Sequence, residues 1–213
     1  MHRFLLLSLV VSASAAAQSP LDRARSLYAA GDVPGALAVL VDEPPADAEG
    51  TRLAARIALD LGRPLDAARW LADADSADAT AQLLLGRSYE ALGDRQRAEA
   101  AYARSVRADS SAAALPSLAA LVLQRSPREA VPLYRRLASR DSLNPAHLGA
   151  LGRALAGADS AAAALPVLRR AFALYSRDEA TALALARALE GDSTLTAHLE
   201  AALAALPRST ELW

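Results

Sequence analysis

Glycines at positions 31, 62 and 93 are separated by the same 31 residues, and each is followed by a small residue, Ala36, Ala67 or Ala98, at the same offset. A period of that length constrains the fold strongly, because one supersecondary unit must recur and stack on its neighbours. The clearest copy is residues 79–112, ATAQLLLGRSYEALGDRQRAEAAYARSVRADSSA. Gly86 and Ala98 predict two helices touching backbone to backbone, with Tyr89 and Tyr102 filling the wedge around that contact. Gly93 suits the left-handed end of the first helix, and Asp94 suits the cap of the second.

The unit recurs in phase. Upstream, Gly31-Asp32 and Gly62 set the frame. Downstream, residues 111–144 carry Leu118, Leu121, Ala130, Tyr134 and Leu137, with Arg125-Ser126-Pro127 in place of the Gly-Asp turn. Residues 145–178 supply Leu151-Gly152, Leu155, Ala164, Leu168 and Ala171. Residues 179–212 match through Leu185-Ala186 and Leu189, while their second helix puts Thr196 at the small position.

With Leu85, Gly86, Tyr89, Ala98, Tyr102 and Ser105 so placed, the unit resembles the tetratricopeptide repeat, in a bacterial exported form. The resemblance implies an all-α, right-handed α-solenoid of about six helix-turn-helix repeats, at about 18–47, 48–78, 79–110, 111–144, 145–178 and 179–212. An alanine-rich helical bundle is the alternative, but it has no need of such a period. Composition agrees with helix: about a quarter of the residues are alanine and only 4% are aromatic, whereas a β-protein favours branched and aromatic side chains.

The first two units are about three residues short, and Asp42-Glu43-Pro44-Pro45 must stop the second helix early, since prolines deny helical dihedrals and a backbone donor. A shallower N-terminal end is expected. The last helix, near 193–206, carries Leu195, Leu199, Leu203 and Leu206 on one stripe, as suits a helix that seals the stack.

Residues 1–17, MHRFLLLSLVVSASAAA, read as a cleaved signal peptide: Arg3, an apolar run from Phe4 to Val11, then small residues before Gln18. The run is too short for a membrane span, which takes roughly 20 apolar residues. A periplasmic or secreted protein is therefore expected. All 23 basic residues are arginine, a usage expected of a GC-rich bacterial genome, and the net charge of −1 argues against nucleic acid. The chain has no cysteine, which excludes disulfides and thiolate chemistry.

No catalytic or cofactor-binding motif is present, so no enzyme, metal or cofactor is expected. His147 and His198 lie about fifty residues apart in sequence and suggest no shared site. Asp73, Asp75 and Asp78 lack the glycine and glutamate of a calcium loop and read as helix caps. Trp70 is expected in the core.

One pattern stands out. In the family that the repeat resembles, the ninth position of each unit points into the concave groove; here it reads Arg25, Arg56, Arg87, Ala119, Arg153 and Arg187. Such a ladder favours a carboxylate-rich protein or peptide, because guanidinium binds carboxylate in bidentate, charge-assisted fashion. Glu49, Asp60, Glu90 and Glu190 stand near enough in sequence to pair with the ladder instead. The expected function is a non-catalytic interaction scaffold of the bacterial cell envelope; the alternative is a structural module that associates with copies of itself.

Overall fold

A computed structural model describes residues 18–109 and 113–210. Residues 1–17, and with them the expected signal peptide, lie outside the described residues, as do 110–112 and 211–213. The described chain falls into two compact units, one ending at Ala72 and the other beginning at Asp73.

The first unit holds α1 (Pro20–Ala29), α2 (Val33–Asp42), α3 (Ala48–Asp60) and α4 (Pro64–Trp70). Helix α1 packs on α2, α2 on α3 and α3 on α4. The hairpin turns rest on Gly31 and Gly62, whose φ values of +87° and +68° suit glycine. Asp32 caps α2 through the Gly35 amide. Helix α2 ends at Asp42, ahead of Pro44-Pro45, and α4 spans only 7 residues. Ala24, Ala36, Leu37, Leu40, Ala54 and Ile57 form the core, and half-buried Trp70 packs against it.

The second unit holds α5 (Ala79–Ala91), α6 (Arg95–Ala108), α7 (Leu115–Arg125), α8 (Pro127–Arg140), α9 (Pro145–Gly157), α10 (Ala161–Leu174), α11 (Glu179–Ala188) and α12 (Leu195–Ala205). Successive helices pack pairwise along the chain, and α9 also touches α11. One continuous core runs from Ala98 and Tyr102, through Leu118, Leu121 and Tyr134, to Leu168, Leu185 and Leu189. Asp78 caps α5 by accepting from the Ala81 amide at 2.9 Å, and Asp94 caps α6 by accepting from the Arg97 amide at 3.0 Å. Asp75 accepts from the Ala77 amide at 2.9 Å, so the acidic stretch stabilises turns and a helix start.

The fully buried Tyr102 ring lies against Gly86, filling the wedge as expected. The glycine is small so that an aromatic ring can lie between the helices. In the last hairpin, His198 and not Thr196 occupies the small position: His198 is buried and Thr196 is exposed. Its Nε2 lies 2.9 Å from the Ala182 carbonyl oxygen, and its ring packs edge to face with Phe172, the ring centres 4.8 Å apart. A further correction concerns Ala119 and belongs with the arginines. Among the described residues no helix is long and apolar enough to cross a membrane.

Candidate functional site: the arginine strips of the first helices

Each of α3, α5, α7 and α9, the first helix of its hairpin, is buried on two flanks and keeps a narrow exposed strip. In α5, Gly86 and Ser88 are buried while Arg87 between them is exposed. A step of one residue turns a helix by about 100°, so flanking burial on both sides leaves the middle residue facing outward. The same pattern places Arg56 between Ala55 and Ile57 in α3, and half-buried Arg153 between Gly152 and Ala154 in α9. Arg25 follows buried Ala24 in α1, and Arg187 is exposed in α11.

Ala119 does not belong to this set. It is fully buried, and Ala120 is the exposed residue at the strip of α7. The cause is the turn. Three residues, Leu92, Gly93 and Asp94, separate α5 from α6, whereas Ser126 alone separates α7 from α8. Ala119 thus precedes Ala130 by eleven residues, where Gly86 precedes Ala98 by twelve. Ala119 takes the close-contact role, and the strip of α7 carries an alanine in either register.

The short turn has its own brace. Arg125, the last residue of α7, bonds Glu99 on α6 at 3.0 Å and Glu129 on α8 at 2.7 Å. Hydrogen bonds from Arg125 and then Ser126 hold the Glu129 carboxyl below its usual range.

The arginines divide into two groups. Arg25 pairs with Asp22 and Glu49, and Arg153 lies 3.7 Å from Asp178. Arg56, Arg87 and Arg187 have no ion-pair partner among the described residues. Two of the acids that stood near them in sequence accept from tyrosines instead. The Tyr28 hydroxyl donates to Asp60, and the Tyr102 hydroxyl donates to Glu90 at 2.6 Å. Both phenols titrate above their ordinary value: Tyr28 mainly through the bond to Asp60, Tyr102 mainly through burial and then through Glu90. The positive charges of Arg56 and Arg87 partly oppose these shifts.

A sequence signal for the paired arginines exists. Glu49 follows Arg25 by 24 residues and Asp178 follows Arg153 by 25, so an acid at the start of the next first helix reaches back. Arg56 has Thr80 at that offset, and Arg87 has Ser111 and Ala112. For Arg187 the offset falls on Glu211, outside the described residues. Within the second unit the structure brings two of the arginines together: Arg153 and Arg187 line one cleft of about 590 Å³ between α9 and α11. Among the described residues no cluster of three or more histidines and carboxylates is arranged to hold a metal ion.

Helical hairpins, glycine-set turns and buried small residues define the tetratricopeptide-repeat fold, and the chain has that fold. Solved structures agree. The chain is similar to YrrB, described as a TPR protein with an unusual peptide-binding site, with TM-score 0.73, 16% identity, and coverage of 83% of this chain and 94% of that one. It is similar to MamA (residue 41 to the end) from Desulfovibrio magneticus RS-1, with TM-score 0.66, 17% identity, and coverage of 78% and 98%. It is also similar to the C-terminal part of a TPR repeat-containing protein from Cytophaga hutchinsonii, with TM-score 0.68, 13% identity, and coverage of 87% and 78%. No protein-family model matches the chain, and no curated protein does.

Proposed function

We propose that the chain is an exported, non-catalytic scaffold of the bacterial cell envelope that holds a carboxylate-bearing peptide, tail or helix on the exposed strips of its first helices. The observation that carries this reading is the state of Arg56 and Arg87. Both stand exposed in the middle of a strip, while the acids nearest them in sequence accept from tyrosines. An exposed guanidinium without a carboxylate partner retains its full fork of donors for a ligand. The similarity to YrrB, itself described as having a peptide-binding site, supports the same kind of ligand. Export rests on residues 1–17, whose pattern is that of a signal peptide ending before Gln18.

The test is affinity capture from envelope extract with the wild type and with Arg56→Glu/Arg87→Glu. Loss of the captured partner with an unchanged circular dichroism spectrum is expected; undiminished capture removes the strips of α3 and α5 as binding surfaces. N-terminal sequencing of the exported chain is expected to begin at Gln18, and an intact Met1 in the envelope fraction contradicts cleavage.

A further inference from the structure

The cleft shared by Arg153 and Arg187 continues past Arg153 into a second cleft of about 570 Å³, which Arg153 and Ala180 also line. That second cleft adds Tyr175 and Arg177, from the loop between α10 and α11, together with Asp178. The two clefts adjoin in one crevice at their shared residues: Arg187 lines the first, Arg177 the second, and Arg153 both. Ala156, Leu183 and Ala184 make the floor of the first cleft apolar. Of the three arginines only Arg153 has a carboxylate partner among the described residues.

That partner is weakly held. Arg153 Nη1 lies 3.7 Å from Asp178 Oδ2, well beyond the roughly 2.7–2.9 Å of a close charge-assisted bond. Thr181 also donates its hydroxyl to the same carboxylate oxygen. Asp178 thus stands at Arg153 as an internal carboxylate with a second attachment of its own. An incoming carboxylate that reaches Arg153 at bonding distance gains more than Asp178 gives up.

We propose that this crevice anchors a short acidic–apolar stretch of a partner polypeptide, and that Asp178 competes for Arg153 until a partner carboxylate displaces it. The proposal rests on the reading above and narrows it to one place and one chemistry. The guanidiniums call for carboxylates, and the alanine–leucine floor calls for an aliphatic side chain between them. An inorganic anion leaves that floor uncovered.

The mature chain is titrated with a fluorescent, N-acetylated and C-amidated hexapeptide of alternating glutamate and leucine, and with its glutamine–leucine counterpart. The glutamate peptide is expected to bind more tightly. Arg177→Gln/Arg187→Gln, both exposed and therefore compatible with folding, is expected to weaken binding about tenfold, the scale of one charge-assisted bond. Asp178→Asn removes the competing charge, keeps an amide oxygen that can accept from Thr181, and is expected to tighten binding about threefold to tenfold. Equal binding of the two peptides, indifference to Arg177→Gln/Arg187→Gln, or weaker binding in Asp178→Asn overturns the proposal. Arg128→Gln, at an exposed position of α8 away from the crevice, is expected to leave hexapeptide binding unchanged. Loss of binding in Arg56→Gln or in Arg87→Gln, with Arg177→Gln/Arg187→Gln unaffected, rejects the crevice and keeps the scaffold reading.

Discussion

The Tyr102 ring lies directly against Gly86: a Cβ built on the glycine would stand 2.3 Å from both Cδ1 and Cε1 of the ring. Tyr102 is fully buried and its hydroxyl is held by Glu90, so the ring has nowhere to retreat. Gly86→Ala is therefore expected to destabilise the protein by about 1–3 kcal/mol through overpacking, although alanine is the better helix former. Chemical denaturation monitored by circular dichroism checks this. An unchanged or raised midpoint contradicts the contact.

The turn between α9 and α10 places Asp159 at φ +57°, where the turns at Gly31, Gly62 and Gly93 use glycine. A side chain in the left-handed region is strained even when the residue is aspartate. Asp159→Gly is expected to raise stability by about 0.5–1 kcal/mol, and Gly93→Ala, at φ +77°, to lower it by a similar amount. Opposite shifts in the unfolding midpoint are the signature.

The brace around Arg125 sets a pH dependence. The folded Glu129 carboxyl is held below its ordinary value of 4.5 by Arg125 and Ser126. Its contribution to stability is therefore fully present above the unfolded value and is lost as pH falls through the folded one. Glu129→Gln should lower the melting temperature slightly near neutral pH. The gap from wild type should close below about pH 4. A gap that stays constant with pH contradicts an ionic role for Glu129.

His198 holds α12 to the rest of the second unit through the Ala182 carbonyl and the Phe172 ring. His198→Ala removes both, at a cost of about 1–2 kcal/mol. Because α12 is the last helix of the described chain, the effect should be local. Hydrogen exchange should speed up along α12 while α5 to α8 keep their protection.

The fold was legible wherever one residue type has one mechanical use. Gly31, Gly62 and Gly93 appear with positive φ, and Asp94 caps the helix that follows. The prolines after Asp42 end α2 where such residues must. What misled was counting. A fixed repeat length carried into residues 111–144 put Ala119 on the exposed strip, because the loss of turn residues beside Ser126 cannot be seen until the second helix is placed. The small position of the last hairpin failed for another reason: a histidine filled it and brought its own hydrogen bond.

The candidate site was half visible. Position along a helix identified which arginines face outward. Their partners depended on side-chain reach, and no periodicity encodes that Tyr28 and Tyr102, not arginines, would take Asp60 and Glu90. Arg177 and Tyr175 lie in the loop that closes the unit 145–178, away from the ninth position that revealed the ladder.

The single-residue turn at Ser126 has an evolutionary side. One residue of turn corresponds to about 100° of helix rotation, so loop length selects which side chain a helix shows to solvent as surely as mutation does. In α7 that rotation exposes Ala120 and hides Ala119. Natural variation there is cheap, because a methyl group on an open strip tolerates almost any replacement. A single codon change at position 120 would be the shortest path by which descendants of this chain gain a carboxylate on that strip.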